Sequence, residues 1–273
     1  MNRRAAPLVS IITPAYNAER FLAQTVASVQ AQQHSNWEML VVDDHSRDGT
    51  LVLARSLART DDRIRVLRNP RNLGPGLTRD HGAGAARGRF VAFLDSDDLW
   101  PPAKLRLHLE FMVRARAAFS CTAYRRFRDA GDGLSCVVGV PLLADRRALL
   151  RNNTVATSTV LIDRSHTGGF HLQDTHYDDF ALWLALARRG HPAHGLPLDL
   201  MRYRIALNSF SGNKLRSARK VLEAYVRVQR LGLADTAWCF FNYACTGILK
   251  HRNEWTSAAT PDSTAAPPVR APV

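Results

Sequence analysis

Three carboxylates close an apolar stretch in the segment FLDSDDLW, at residues 93–100. They belong to Asp95, Asp97 and Asp98, and like charges this close make each further ionisation more costly. A hard divalent cation removes that cost, and Mg²⁺ or Mn²⁺ binds oxygen ligands and is often shared with substrate phosphates. The segment therefore predicts a Mg²⁺ or Mn²⁺ site that uses one or two of these carboxylates. A capped turn before a helix is the open alternative.

A second acidic pair, Asp43 and Asp44, ends the apolar run EMLVVDD at residues 38–44. The first apolar run of the chain, at residues 8–13, ends in the polar stretch TPAYN. In an open α/β sheet, ligands bind outside the carboxyl ends of the strands. The three stretches are therefore predicted to meet at one edge of a sheet, where two acidic runs are harder to explain as solvated turns.

Apolar runs with many β-branched residues alternate with amphipathic segments in the N-terminal half of the chain. This pattern predicts strands at 8–13, 38–44, 64–69 and 89–95, with helices between them. Asn17 is a candidate cap for the first helix, and Ser46 or Asp48 for the second, at 51–59. Strands that alternate with helices favour a mainly parallel sheet that is covered on both faces.

The second half of the sequence is less regular. Strands are predicted at 119–124 and 155–163, and an extended segment at 200–204. The helix at 178–190 begins with Asp178 and Asp179, whose ionised forms the helix dipole stabilises, and Gly190 ends it. Acids in a first turn are also ordinary helix-start residues. Two further helices are predicted at 213–231 and 235–250, before a tail at 256–273 that lacks core residues.

The composition bounds the class of protein. The chain has 273 residues, of which 46% are hydrophobic and 22% charged, values typical of a globular protein. It contains no run of about 18 uncharged apolar residues, so no transmembrane helix is predicted. The four cysteines are far apart in the sequence, which indicates reduced thiols and a cytoplasmic location. The glycines of HGAGAARG precede a strand instead of following one, so they are interpreted as packing positions.

The net charge of +13 is concentrated in two stretches, residues 114–128 and 202–230. Basic surfaces attract nucleic acid, anionic lipid or phosphorylated substrates, and a solvated surface is the plain alternative. The aromatic segment 236–250 follows the second stretch, a combination that suits the surface of an anionic bilayer. We therefore expect peripheral contact with the inner face of the plasma membrane, with packing inside the protein or a dimer as the alternative.

The motifs together resemble the inverting family 2 glycosyltransferases with a GT-A fold. The resemblance is carried by PLVSIITPAYN, VVDDHSRDGT and NLGPGLTRDHGAGAARGRFVAFLDSDDLW, in that order. Further on, NTVATSTVLID, YDDFALWLALARRG and YRIALNSFSGNKL are similar to the branch that builds bacterial surface polysaccharides, including teichuronic-acid-type enzymes. The resemblance covers about residues 8–250 and implies a GT-A, Rossmann-like sheet with a C-terminal helical extension.

The resemblance also implies a role for each matched residue. Those that would bind the nucleotide-sugar donor are Thr13, Pro14, Ala15, Tyr16, Asp43, Asp44, Arg79, Asp95 and Ser96. Among them, Asp44 would contact the nucleobase, and Arg79 would face the diphosphate or the sugar. Asp97 would hold the metal with Asp98 beside it, and Asp179 would be the catalytic base, with Asp178 as the alternative. The family usually has Asn at the position of Asp80 and Glu or Gln at the position of Asp178.

The implied function is metal-dependent, inverting transfer of a sugar from a nucleotide-sugar, with UDP favoured, to a saccharide or lipid-linked acceptor. Displacement of a nucleoside diphosphate leaves charge on oxygen that a metal stabilises, and the incoming hydroxyl needs a carboxylate to take its proton. The alternatives are a nucleotidyltransferase and a basic nucleic-acid-binding protein, although an acidic edge repels a phosphate backbone.

The chain is predicted to divide into four segments. Residues 1–100 would bind the nucleotide-sugar, and 101–205 would bind the acceptor and carry the base. Residues 206–255 would form the basic and aromatic helices, and 256–273 a disordered tail. No nucleic-acid partner is expected.

Overall fold

The computed structural model describes residues 6–128, 133–172 and 178–205. The helices predicted at 213–231 and 235–250 and the tail lie outside the described residues, and so do the aromatic segment and most of the second basic stretch. One continuous sheet contains strands from both sides of the boundary predicted at residue 100. The division into four segments stays a prediction.

Eight strands form one sheet in the order β3-β2-β1-β4-β7-β5-β8-β6. The pairs β1–β2, β2–β3, β1–β4 and β5–β8 are parallel, whereas β7 runs antiparallel to β4 and β5, and β6 antiparallel to β8. The sheet is therefore mainly parallel, as predicted. The strands are β1 Val9–Ala15, β2 Trp37–Asp43, β3 Ile64–Arg68, β4 Phe90–Phe93, β5 Phe119–Phe127, β6 Leu143–Ala144, β7 Leu161–Asp163 and β8 Ala193–Arg204.

Helices cover both faces of the sheet and enclose two apolar cores. One core lies between β1, β2 and helices α1, α2 and α4, and the other between β4, β5 and helices α5 and α7. The helices are α1 Leu22–Gln30, α2 Thr50–Thr60, α3 Gly74–Ala85, α4 Lys104–Ala115, α5 Arg146–Arg151, α6 Arg164–Thr167 and α7 Asp178–Arg188. One 3₁₀ turn, Thr157–Thr159, precedes β7.

Close packing explains the glycines that resemble a dinucleotide fingerprint. A Cβ atom at Gly82 in α3 would lie 2.5 Å from the Ile12 side chain on β1, and one at Gly88 would lie 2.7 Å from the Leu8 carbonyl oxygen. Helix α3 can therefore lie directly on the sheet only with glycine at position 82. The interpretation of these glycines as packing positions is confirmed at residues 82 and 88, whereas a Cβ atom at Gly84 meets nothing within 4 Å.

The strands predicted in the N-terminal half are confirmed to within a few residues, and so is the helix that begins at Asp178 and ends before Gly190. Three predictions are wrong. Neither Ser46 nor Asp48 is the N-cap of α2, because Gly49 occupies that position, although Asp48 accepts a hydrogen bond from the Thr50 amide at 3.0 Å. Asn17 does not cap α1, because its side chain accepts a hydrogen bond from the Arg47 amide, 2.9 Å away. The segment 155–163 is not one strand, because the turn Thr157–Thr159 interrupts it and only its last three residues pair with the sheet. Within the described part of the chain, no helix is long and apolar enough to cross a membrane.

Candidate active site

The carboxyl ends of β1, β2, β4, β5 and β8 lie at one edge of the sheet, because these strands all run in the same direction. The loops that leave this edge carry the acidic pairs that the sequence singled out. The edge therefore brings together Asp43 and Asp44 after β2 and Asp95, Asp97 and Asp98 after β4. The structure agrees with the sequence on this point.

The loops after β1 and β2 are joined to each other by hydrogen bonds between side chains and backbone. The Ala18 amide donates to Thr50 Oγ1 at 2.7 Å, and the Gly49 amide donates to Glu19 Oε2 at 2.9 Å. Asn17 has a positive φ of 49°, a conformation that Asn tolerates better than most residues. These contacts fix the position of Tyr16, whose side chain is 46% exposed, while Thr13 and Ala15 are buried and Pro14 is half-buried.

Asp44 is fully occupied by protein donors. Its carboxylate accepts hydrogen bonds from the Asn69 side chain and the Leu73 amide, both at 2.8 Å, and from the Gly74 amide at 2.9 Å. Two of these donors are orphan amides at the start of α3, which a carboxylate satisfies. Asp44 therefore anchors the start of α3. Its predicted contact with the nucleobase stays a prediction.

Asp43 is also buried, next to Asp44. Its Oδ1 accepts from the Ser46 amide at 3.2 Å, and its Oδ2 lies 3.4 Å from Nε of Arg68. No described group donates a hydrogen bond to Oδ2. The Asp43 side chain therefore supports the loop after β2 from inside the protein.

Asp97 is the half-buried carboxylate of the loop after β4, and no hydrogen bond from another described residue reaches its side chain. Burial, together with the charge of Asp95, raises the pKa of Asp97 to about 6. The amide of Asp97 itself and the Arg204 charge oppose this increase in pKa without cancelling it, so a bound cation would further stabilise the ionised carboxylate. Asp97 differs from Asp98, whose carboxylate is buried and accepts from the Arg204 amide at 3.0 Å.

A buried arginine joins the loop after β4 to the start of α7. The Arg79 guanidinium lies 2.5 Å from Oδ1 of Asp95 and 2.7 Å from Oδ2 of Asp178. Burial would lower the pKa of Arg79, but the charges of Asp95 and Asp178 outweigh it and raise that pKa. The two acids belong to different halves of the chain, so Arg79 fixes their separation. Its side chain is engaged by carboxylates, and its predicted contact with the diphosphate or the sugar is not tested.

The two aspartates at the start of α7 have different surroundings. Asp178 is buried against Arg79; burial raises its pKa to about 6, the Arg79 charge opposes the shift and the Asp179 charge adds to it. Asp179 is partly exposed, and its Oδ2 accepts from the Thr157 hydroxyl at 2.7 Å. Asp179 is therefore the more accessible of the two and is oriented by the 3₁₀ turn.

Sequence reasoning missed the residues that brace this site. Arg204, at the end of β8, donates from Nε to the Asp97 carbonyl oxygen at 2.7 Å and from a terminal nitrogen to the Gln24 side chain at 2.8 Å. The rings of Phe21 and Phe127 lie 4.4 Å and 4.5 Å from its guanidinium carbon. The only signal for Arg204 in the sequence is its place in YRIALNSFSGNKL, one of the motifs that carried the resemblance.

The donor set around the loop after β4 fits a divalent cation that is bound mainly by its substrate. Among the residues that the structure describes, no group of three or more His, Cys, Asp or Glu side chains is arranged to hold a metal ion. Mg²⁺ is often bound by one or two carboxylates together with substrate phosphates, so a complete protein cage is not required. Asp97, which has a raised pKa and no hydrogen bond from another described residue, fits that role.

Asp80, which stands where the resembling family usually has Asn, is used within the protein. Its Oδ1 accepts from the Leu172 amide at 2.9 Å and lies 3.4 Å from Nδ1 of the exposed His171. Asp80 thus fixes the chain six residues before Asp178.

The known proteins that are similar to this chain are glycosyltransferases. A model of the family "Glycosyl transferase family 2" matches residues 10–136. The putative teichuronic acid biosynthesis glycosyltransferase TuaG of Bacillus subtilis is 39% identical over 245 residues, which are 89% of this chain and 97% of that protein. The Escherichia coli β-1,3-glucosyltransferase WfgD, named for UDP-Glc and α-D-GlcNAc-diphosphoundecaprenol, is 32% identical over 89% of this chain and 95% of its own.

Solved structures share the fold. Staphylococcus aureus TarS 1–349 in complex with UDP-GlcNAc has a TM-score of 0.63 at 17% identity, over 86% of this chain and 71% of that one. The mannosyltransferase PcManGT from Pyrobaculum calidifontis, in complex with GDP-Man and Mn²⁺, has a TM-score of 0.64 at 17% identity, over 90% and 76%. The GT-A fold that the sequence predicted is therefore confirmed.

Proposed function

Since the chain belongs to glycosyltransferase family 2, we propose that it transfers a sugar from a nucleoside diphosphate sugar to an acceptor in cell-surface polysaccharide assembly. The chain is thus a glycosyltransferase, and the nucleotidyltransferase and nucleic-acid-binding alternatives are set aside. One observation carries the finer proposal. The edge of the sheet presents Asp97, whose carboxylate accepts no hydrogen bond from another described residue, and Asp179, a partly exposed carboxylate that is oriented by a hydroxyl.

The relatives support the substrate classes that we propose. WfgD is named for a UDP-sugar donor and an acceptor on a diphosphoundecaprenol carrier, and the TarS structure contains UDP-GlcNAc. We therefore propose a UDP-sugar as the donor and a saccharide or lipid-linked saccharide as the acceptor. The GDP-Man complex of the mannosyltransferase makes a GDP-sugar the donor to test next.

We propose that Tyr16 lies against the nucleotide, because it is the exposed side chain at the end of β1. The sequence-based donor set also includes Thr13, Pro14, Ala15, Asp43, Asp44 and Ser96. Most of these are buried, so they shape the pocket wall through the backbone and the joined loops. Asp95 has a partly exposed side chain that remains close to any bound diphosphate while Arg79 fixes its position.

Asp97 would hold a Mn²⁺ or Mg²⁺ ion, with Asp98 as the second residue that the sequence predicts. When bound, such an ion neutralises the charge that develops on the departing diphosphate. Asp98 is buried and accepts from the Arg204 amide, so its part in the site is to shape the loop that presents Asp97. The chain itself contributes the position and the raised pKa of the Asp97 carboxylate.

Asp179 would act as the base. Its Oδ2 accepts from the Thr157 hydroxyl, which fixes the carboxylate plane, and the start of α7 favours its ionised form. The carboxylate would remove the proton from the acceptor hydroxyl as the oxygen attacks the anomeric carbon and the diphosphate leaves. A single attack from the opposite side inverts that carbon, as in inverting glycoside hydrolysis. Asp178 would remain paired with Arg79 during the reaction.

A lipid-linked acceptor would place the enzyme at the cytoplasmic membrane surface. We propose peripheral contact through the basic and aromatic segments at 206–255, which lie outside the described residues. Flotation with anionic vesicles at low salt and release at high salt would support this contact. Equal flotation with neutral vesicles would contradict an electrostatic origin of the membrane contact.

The experiment that tests the function is release of nucleoside diphosphate from a panel of UDP-, GDP- and dTDP-sugars with Mn²⁺, with and without a lipid-diphosphate-linked GlcNAc acceptor. We expect acceptor-dependent release from a UDP-sugar and a product with inverted anomeric configuration by NMR. Release that does not depend on any acceptor, or a retained configuration, would contradict the proposal. Excess EDTA is the control for the metal.

A further inference from the structure

A cluster of buried polar side chains lies beneath the site, on α4 and β5, and the reaction described above does not use it. Nζ of Lys104, the first residue of α4, is completely buried and donates to Nδ1 of His108 at 2.8 Å and to the Thr159 carbonyl oxygen at 2.7 Å. Nε2 of His108 lies 2.6 Å from the Ser120 hydroxyl. The cluster therefore connects β5 to the 3₁₀ turn through one ammonium group.

A buried ammonium group is costly, and no carboxylate among the described residues pairs with Lys104. Burial lowers the pKa of Lys104 to about 7 and the pKa of His108 well below its usual value. The neutral imidazole can accept from Lys104 at Nδ1 and donate from Nε2 to Ser120. Hydrogen bonds to His108 and Thr159, together with the Trp100 ring 5.5 Å away, thus stabilise Lys104 and fix the position of its ammonium group.

The turn Thr157–Thr159 receives two donors from below. Lys104 donates to the Thr159 carbonyl oxygen, and the indole nitrogen of Trp100 donates to the Ser158 carbonyl oxygen at 2.8 Å. Both donors belong to the segment that follows Asp97 and Asp98 in the chain. The loop after β4 therefore folds back and supports the turn on which its own position depends.

The same turn also contacts the loop after β4 and the start of α7. The Ser158 hydroxyl accepts from the Asp95 amide at 3.0 Å, which fixes the loop that carries Asp97. The Thr157 hydroxyl donates to Asp179 at 2.7 Å. A shift of the turn would move the proposed base and the proposed metal-side loop together.

We propose that Lys104 is a positioning residue, which holds the turn Thr157–Thr159 so that Asp179 and the loop of Asp97 keep the separation that transfer requires. The inference rests on the proposed function, since the roles of these two aspartates come from there. Lys104 touches neither of them directly. Its effect must therefore pass through Ser158 and Thr157, and this makes it testable.

The test uses Lys104→Met, which keeps the length of the side chain and removes the donor. We expect kcat to fall about 10–100-fold while the KM for the nucleotide-sugar stays within about 3-fold, because a displacement near 1 Å costs that much in a positioned reaction. In a Thr157→Val, Ser158→Ala background, both links from the turn to the acids are removed. Lys104→Met should then lower kcat by less than about 3-fold, a non-additivity that reports coupling.

The matched control is Met112→Ala, a buried change two turns further along α4 that opens a cavity without touching the turn. It should lower the melting temperature at least as much as Lys104→Met and leave kcat within about 2-fold, assayed well below both melting temperatures. Equal losses of kcat in the two variants would overturn the proposal, and so would an equal effect of Lys104→Met in both backgrounds. Lys104→Leu, which also removes the donor, serves if Lys104→Met does not fold. Failure of both to fold would show a folding role and overturn the proposal.

The same assay distinguishes failure of the positioning role from failure of the proposed function. An inactive wild-type protein on the whole donor panel contradicts the proposed function. An active wild-type protein with an equally active Lys104→Met variant contradicts the positioning role alone.

Discussion

Two pairs of adjacent aspartates lie at the same edge of the sheet, at the ends of β2 and β4, and one acid of each pair shows how their surroundings differ. Asp44, after β2, accepts three hydrogen bonds from protein donors between 2.8 and 2.9 Å. Asp97, after β4, receives none from another described residue, and burial beside Asp95 raises its pKa to about 6. The sequence motifs VVDD and DSDD look equivalent in this respect, but the environments of Asp44 and Asp97 are opposite.

The difference separates structural acids from acids that await a ligand. A carboxylate with three backbone or side-chain donors is already stabilised, and its removal leaves buried donors unpaired. A carboxylate with none is destabilised in the folded protein, and a cation that binds there recovers that free energy. Substitutions of Asp44 and Asp97 should therefore affect different measurements.

The largest expected effect is on Asp97. Asp97→Asn should lower the rate of transfer by at least about 10³-fold, because several kcal/mol of charge stabilisation at the leaving diphosphate are lost. The melting temperature should stay unchanged or rise, since one of three crowded negative charges is removed. Nucleoside diphosphate release and thermal unfolding measure the two effects. Full turnover by this variant, or by the wild type in excess EDTA, would contradict the proposal that Asp97 binds a metal and thus differs in role from Asp44.

The next effect is on the proposed base. Asp179→Asn should lower the transfer rate about 10²–10⁴-fold, as is usual for a positioned acid–base group, with little change in donor affinity measured by calorimetry. Asp178→Asn is the matched comparison on the same helix turn. If Asp178→Asn proves the more damaging to the rate, the assignment of the base to the exposed partner is wrong.

Asp44 should report on stability instead of rate. Asp44→Asn places an NH₂ group opposite either the Gly74 amide or the two donors Leu73 and Asn69, so the free energy of unfolding should fall by about 2–4 kcal/mol. Urea denaturation at neutral pH gives this value, with Asp97→Asn as the control that should not lose stability. An unchanged unfolding curve together with weaker donor binding would instead support the nucleobase contact that the sequence predicted.

The smallest effect concerns pH. The folded-state pKa of Asp178 is about 6, raised from 3.8 mainly by burial, so the folded protein binds a proton more tightly than the unfolded chain. The associated stability is present below pH 4 and is lost as the pH rises through 6. Between pH 4.5 and 6.5, the free energy of unfolding of the wild type should therefore fall by about 1–2 kcal/mol relative to Asp178→Asn. If the free energy of unfolding changes equally with pH in the two proteins, the pKa of Asp178 is not raised by folding, and this prediction is wrong.

The four N-terminal strands and the acidic edge were predictable because each depends on neighbours in sequence. Apolar runs mark the strands, and the acids follow them directly. The surroundings of each acid were not predictable in this way. The Gly74 donor to Asp44 lies 30 residues further on, and Arg79 and Asp178 are 99 residues apart.

The segment 155–163 shows a second limit of sequence reasoning. Its β-branched residues favour a strand, yet Thr157–Thr159 form a 3₁₀ turn. That turn is stabilised by Lys104 and Trp100 from another part of the chain, and such tertiary contacts override local preference. The wrongly predicted residues are therefore those that connect the loop after β4 to Asp179.

The position of Arg204 has a consequence for the order of folding. Its contacts with Asp98 and Gln24 join residues 106 and 180 positions apart, among the most distant hydrogen bonds described. Because such long loops close late and at an entropic cost, a nascent chain keeps the loop after β4 open to water until β8 has been synthesised and docks. The crowded aspartates are thus desolvated only in the final stage, so the early intermediates are spared the electrostatic repulsion that the finished site contains.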